Sequence, residues 1–294
     1  MGAKSPSKKK KKKKFNSALQ IKDKTEFIKS LTEDMPEAPD HFSRCSDINR
    51  RGPALISDLP QMLELSPKQF HERVQESNIS ILDARCYHGF AGQHIPGAWH
   101  LDISGNFPTF AGWVLPTDRD ILLVADHYQT AIQASTWARR VGMDRIVGYL
   151  DGGMVAWAVS GLNTDSIRLI SAEELHDRIT GDNSFVLLDV RGKLEYEDNH
   201  IKGAVNIPVA DLRTRHLELD KNKAIVVLCS SGNRSSLGAS ILKQHGFKHV
   251  INVAGGMSGY SAAGYTRECR VCLNPHGSRF VSNLSDVKKH WDAE

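Results

Sequence analysis

The stretch Ala224-Ile225-Val226-Val227-Leu228-Cys229-Ser230-Ser231-Gly232-Asn233-Arg234-Ser235-Ser236 reads as a strand, a turn and the start of a helix. Its apolar run ends on a cysteine, as a buried parallel strand would end. Small polar residues follow, and then Leu237-Gly238-Ala239-Ser240-Ile241-Leu242 sets out in a helical pattern. Open α/β sheets hold their ligands at the carboxyl ends of their strands, which is where Cys229 stands. Loop N–H groups and a helix N-terminus favour negative charge there, and the thiolate is the nucleophilic form of cysteine. The same features also describe a small buried cysteine before an ordinary turn.

Working outward, the motifs around this stretch occur twice. Ile81-Leu82-Asp83-Ala84-Arg85 matches Leu187-Leu188-Asp189-Val190-Arg191, and His94-Ile95-Pro96-Gly97-Ala98 matches His200-Ile201-Lys202-Gly203-Ala204. Ile121-Leu122-Leu123-Val124 matches Ile225-Val226-Val227-Leu228, and Leu150-Asp151-Gly152-Gly153-Met154 matches Val253-Ala254-Gly255-Gly256-Met257. Ser66 before Pro67 and Ser171 before Ala172 read as helix N-caps opening each copy. Short apolar runs alternate with helical stretches. The expected fold is therefore α/β, each copy a parallel sheet with helices on both faces. The expected organisation is a Lys-rich disordered tail over 1–20 and a linker-like segment over 21–64. Domain 1 covers 65–164, domain 2 covers 165–268, and a C-terminal tail covers 269–294. Asn163-Thr164-Asp165 is the polar junction between the domains. In the linker-like segment, Lys24 to Leu31 reads as a short helix capped around Asp23. Met35-Pro36-Glu37-Ala38-Pro39 and Asn49-Arg50-Arg51-Gly52-Pro53 read as extended and turning chain.

With 294 residues, 40% of them hydrophobic, two packed domains are affordable, and no apolar run is long enough to span a membrane. The formal charge of +4 belongs to the seven lysines at positions 8–14; without them the remainder carries −3. Nucleic-acid binding is thus not expected apart from that tail. The first residues lack the apolar stretch of a secretory signal. Five scattered cysteines suit a reducing compartment, and a cytoplasmic location is expected. Cys269-Arg270-Val271-Cys272 with His276 is half of a zinc-type ligand set, and no second pair accompanies it, so no metal is assigned. No cofactor is expected.

Taken in order, Asp-x-Arg after the first strand, His-Ile-x-Gly-Ala, Cys229 with a short loop to Arg234, and Gly-Gly-Met before Trp157 or Tyr260 resemble the rhodanese family of sulfurtransferase domains. The resemblance covers residues 65–265 as two tandem domains. A second resemblance rests on Leu31-Thr32-Glu33-Asp34-Met35-Pro36-Glu37-Ala38-Pro39 with Asn49 to Pro53. This is similar to the junction that follows the metallo-β-lactamase-like domain in fusions of a persulfide dioxygenase with rhodanese domains. No H-x-H-x-D-H cluster is present, so dioxygenase activity is not expected. A separate persulfide-oxidising protein is then a candidate partner.

The first resemblance implies a mechanism. Cys229 is the nucleophile and carries sulfur as a persulfide, taken from a small anionic donor and passed to a thiol acceptor or cyanide. Ser230, Ser231, Gly232, Asn233, Arg234 and Ser235 form the substrate-binding loop, and Arg191 is placed with them. The span from Cys229 to Arg234 is C-x4-R, the size of the sulfur-transferring members. Related phosphatases have one residue more. Ser231 and Ser235 either donate to the sulfur or cap the following helix. Asp189, Glu195 and His200 read as structural. In the first copy Ala125 replaces the cysteine and Asp126-His127-Tyr128-Gln129-Thr130 follows, so domain 1 is expected to be inactive. Two alternatives stay open: a rhodanese-type binding or regulatory module without turnover, and a Cys-dependent phosphatase.

Overall fold

The computed structural model describes residues 16–33, 38–39, 41–181 and 184–265. The lysine run, most of the Met35–Pro39 stretch and the Cys269/Cys272 pair lie outside the described residues. The two copies form two five-stranded sheets, parallel throughout. The first contains β1 (Leu63–Leu65), β2 (Ile79–Asp83), β3 (Trp99–His100), β4 (Asp120–Val124) and β5 (Ile146–Leu150), in the order β1-β5-β4-β2-β3. The second contains β6 (Arg168–Ile170), β7 (Phe185–Asp189), β8 (Val205–Asn206), β9 (Ala224–Leu228) and β10 (Val250–Val253), in the same permutation, β6-β10-β9-β7-β8. Central strands β4 and β9 are buried from their second residue onward. That is why they read as unbroken apolar runs and not as alternating ones.

Helices α1 (Lys24–Thr32) and α2 (His41–Arg51) precede the first sheet. Those of domain 1 are α3 (Pro67–Val74), α4 (Tyr87–Gly92), α5 (Phe107–Val114), α6 (Tyr128–Arg139) and α7 (Gly153–Val159). Those of domain 2 are α8 (Ala172–Thr180), α9 (Lys193–Asp198), α10 (Leu212–Arg215), α11 (Asn233–Gln244) and α12 (Gly256–Ala262). Ser66 and Gln69 make a reciprocal capping box, and the Ser171 hydroxyl accepts from Glu174 N–H. Asp23 caps α1 in the same way, accepting from Glu26 N–H at 2.8 Å.

One expectation needs correcting. Asn49-Arg50-Arg51 is not extended chain; it is the last turn of α2, which stops at Gly52 with φ +88°. Between the prolines on either side nothing breaks a helix, so eleven residues form one. What fixes it is polar. Arg44 donates to the carbonyls of Gly112 and Val141, two groups near helix ends. His41 is buried against Gly112, where even a methyl group would not fit.

The two domains share a core. One continuous cluster of buried apolar side chains runs from Phe70, Leu82 and Leu122 in domain 1 to Val190, Val227 and Leu237 in domain 2. A second cluster, with Leu187, Val226 and Val253, fills the far face of the second sheet. Helix α11 lies between the domains, and every residue from Ser235 to Leu242 is buried. The matching helix α6 buries only Ala131, Ala134, Ser135 and Ala138. Polar links cross the seam. His100 N–H donates to Ser240 Oγ at 3.1 Å, Gln244 donates to the Gly97 carbonyl, and Lys243 pairs with Asp165 at 2.8 Å. The junction itself is held to domain 1, because His94 and Asp165 exchange backbone hydrogen bonds.

His100 is completely buried at this seam, its Nε2–H donating to the Arg85 carbonyl, and burial pushes its pKa below the ordinary value. His94, which donates to the Phe90 carbonyl, is lowered by burial in the same way. Both stay neutral in the folded protein where the unfolded chain already takes up protons. Their contribution is therefore complete above the unfolded value of 6.5 and is lost as pH falls from there through the folded value. Urea unfolding should show a loss of stability between about pH 7 and about pH 5, with a shallower slope in His100→Leu. An unchanged slope in that variant would rule out His100 as a contributor.

Candidate functional site

Strand β9 delivers Cys229 to the carboxyl edge of the second sheet, between β7 and β10, with only 1% of the residue exposed. Four residues, Cys229 to Gly232, join the strand to α11. Gly232 adopts φ +107°, a backbone state that L side chains avoid. This turns its N–H back onto the cysteine, so Gly232 N–H donates to Cys229 Sγ at 3.1 Å. The Ser235 hydroxyl lies 3.2 Å from Sγ and 3.1 Å from the Gly232 carbonyl, one proton with two acceptors in reach. Ser235 thus faces the sulfur directly. Ser231 is exposed, while Ser230, Asn233 and Arg234 are half-buried. The twelve-residue helix α11 starts here, and its N-terminal dipole favours an anion.

The loop rests on the turn between β10 and α12. Met257 N–H donates to the Cys229 carbonyl at 2.7 Å and Ser258 N–H to the Ser230 carbonyl at 3.0 Å. Gly256, at φ +53°, passes so close beneath that any side chain would collide with the Cys229 carbonyl. Asn252, fully buried in β10, donates to the Gly232 carbonyl at 3.2 Å. That bond fixes the peptide between Gly232 and Asn233, so the Asn233 N–H points away from Asn252.

Arg234 and Arg191 sit differently from one another. Arg234 makes a two-pronged ion pair with Glu195 of α9, at 2.5 and 2.7 Å. The Arg234 hydrogen bonds hold the Glu195 carboxyl below the usual carboxylate range in spite of partial burial. Arg191 is buried, its guanidinium bonded to Asp189 and to the Asn199 carbonyl. Domain 1 repeats this second arrangement bond for bond: Arg85 holds Asp83 and the Gln93 carbonyl. His200 and His94 likewise both donate Nδ1–H to the carbonyl four residues back. These groups recur where no loop thiol exists, so the arrangement does not depend on a thiol. Removing one partner of such a buried pair costs about 3–5 kcal/mol.

The remaining differences are confined to the loop. In domain 1 three residues, Ala125 to His127, join β4 to α6, one fewer than in domain 2. The Gly152-Gly153 turn beneath is retained, with Gly153 against the Ala125 carbonyl. There is no glycine to turn an N–H inward. Gly89 and Gln129 stand where Glu195 and Arg234 stand, and Tyr149 where Asn252 stands. Sequence reading overlooked Asn252 and Tyr87. The first is a polar residue inside an apolar strand, a visible signal. The second reaches domain 2 only through the tertiary fold. Among the described residues no cluster of His, Cys, Asp and Glu is arranged to hold a metal, and Cys45, Cys86 and Cys229 are free thiols. No helix among them is long and apolar enough to cross a membrane.

Two parallel α/β domains, one with a cysteine loop at its sheet edge, are the architecture of a rhodanese protein. The Rhodanese-like domain description matches residues 66–160 and 171–263, so the chain belongs to that family and has it twice. YrkF of Bacillus subtilis, named as a sulfur carrier protein, is 37% identical over 127 residues, which are 41% of this chain and 69% of YrkF. The thiosulfate sulfurtransferase PspE of Escherichia coli is 36% identical over 70 residues, 23% of this chain and 67% of PspE. A rhodanese-related crystal structure from Thermoplasma volcanium is 32% identical, with a TM-score of 0.31, over 33% of this chain and 93% of that one. Sulfur carriage and sulfur transfer are the activities that the names of YrkF and PspE state.

Because Gly256 packs directly under the Cys229 carbonyl, Gly256→Ala should lower stability by more than about 2 kcal/mol, through strain at positive φ and displacement of the loop. Thermal unfolding measures this. Gly264→Ala, whose positive φ is matched by open space, should cost less.

Proposed function

We propose that Cys229 is the sulfur carrier of a two-domain sulfurtransferase. The observation that carries this reading is the geometry at its sulfur: a backbone N–H and a hydroxyl both aimed at Sγ, in the one domain whose loop has the residue needed to aim them. Those donors stabilise a thiolate and, after sulfur uptake, the anionic persulfide. In the first half-reaction the thiolate attacks the outer sulfur of thiosulfate or a low-molecular-weight persulfide. The donor's S–S bond breaks and sulfite or a thiolate leaves. In the second, an acceptor thiolate or cyanide attacks the outer sulfur, and the electron pair returns to Cys229. The reducing cytoplasm suits this exchange, since it supplies thiol acceptors.

Loop amides, from Ser230 to Ser235, do the binding. Arg234 serves anionic donors only to the extent that Glu195 releases it, and Arg191 stays bonded to Asp189 and the Asn199 carbonyl at the end of the neighbouring strand. Names of relatives support the donor class: PspE is named a thiosulfate sulfurtransferase.

Incubation with thiosulfate or glutathione persulfide should add about 32 Da, one sulfur atom, to the intact mass. The gain should be absent in Cys229→Ser. A gain that survives this substitution would place the carrier elsewhere. Freeing Arg234 by Glu195→Gln should lower KM for thiosulfate by about two- to fivefold, the scale of a part-exposed ion pair, and Arg234→Ala should raise it. Equal effects on thiosulfate and on an uncharged persulfide would remove Arg234 from donor recognition.

A further inference from the structure

Tyr87 opens helix α4 in domain 1, yet its ring lies on the cysteine loop of domain 2. A side-chain carbon on Gly232 would sit 2.8 Å from Tyr87 Cζ, 3.0 Å from Cε2 and 3.1 Å from Oη. The Gly255 N–H donates to Tyr87 Oη at 3.4 Å. One phenol therefore touches both turns that hold the thiol: the loop whose Gly232 N–H points at Sγ, and the glycine turn beneath it. Tyr87 is itself tied down, its N–H donating to Asp102 Oδ2 at 3.3 Å and its ring lying 3.9 Å from that of His88. The repeat provides a control. The position that matches Tyr87 in domain 2 is Lys193, whose side chain is 80% exposed. An aromatic ring is thus no requirement of the scaffold at this point.

We infer that Tyr87 is a specificity-determining residue for sulfur transfer at Cys229, limiting the size of the acceptor that reaches the outer sulfur. The inference rests on Cys229 being the carrier. In the acceptor step a thiolate or cyanide must approach the outer sulfur in line with the S–S bond. That bond breaks, its electron pair goes to Cys229, and the sulfur leaves bonded to the acceptor. Cyanide, two atoms in a line, needs little clearance. A branched thiol must share the mouth of the loop with the phenol. The domain with no loop thiol then sets which acceptors are used.

The test uses the full chain loaded with sulfur and compares transfer to cyanide with transfer to glutathione. Tyr87→Ala should raise the glutathione-to-cyanide rate ratio by about tenfold, the usual range for steric discrimination in a pocket, and Tyr87→Phe should leave it unchanged. Tyr87→Leu gives the same reading if the alanine variant fails to fold. A ratio unchanged in the small variants, with loading intact, overturns the inference alone. Failure of the wild type to gain a sulfur atom overturns the carrier reading and this inference with it.

Discussion

Helix α11 is the element on which the site depends, because it is buried on every side. Its residues Ser235 to Leu242 face the second sheet, and the same helix meets β3 of domain 1. Small side chains make this possible. Gly238 lies close to Val190, Val227 and Leu212, and Ser240 brings its hydroxyl to the His100 N–H. A helix held this way cannot tilt without opening the shared core. Its first turn is also the end of the cysteine loop, so the position of the Gly232 N–H relative to Sγ is set by packing that extends through both domains. Domain 1 thereby shapes the cysteine loop of domain 2 without contributing a thiol.

Duplication separates what the fold needs from what the chemistry needs. Both halves keep the buried Asp-Arg pair, the histidine that folds back onto the preceding helix, the paired glycines and the strand permutation. These groups look chemical in the sequence, since buried charges and histidines so often mark active sites. Their presence in a half with Ala125 at the loop shows that the fold keeps them with or without a thiol. What the second half adds is small: one sulfur atom, one glycine, Asn252 behind the loop and the Arg234–Glu195 pair in front.

The sequence made the α/β fold and its two sheets legible, because parallel strands buried on both faces leave unbroken apolar runs at repeating intervals. Cys229 was legible for the same reason, as the residue on which such a run ends. Helix α2 was not. It buries only His41 and is fixed by Arg44 bonding to carbonyls of two later segments, partners that no local pattern reveals. The pairing of Arg234 with Glu195 was equally out of reach, since the two are 39 residues apart and meet only when α9 and α11 are brought together. Tyr87 reaches Gly232 across the domain seam, which is a property of docking and not of either domain's sequence.

The shorter loop of domain 1 has a consequence for reversibility. Returning a cysteine to position 125 would restore a sulfur atom but not the peptide that faces it, because His127 already serves as the cap of α6 at φ −143°. Regaining the missing amide takes an insertion, with a glycine placed where the chain must turn back. An insertion there shifts the start of a helix whose alanines are buried in the core. The two halves are therefore separated by a step that no single replacement can cross, and the difference between their loops is locked into the length of the chain.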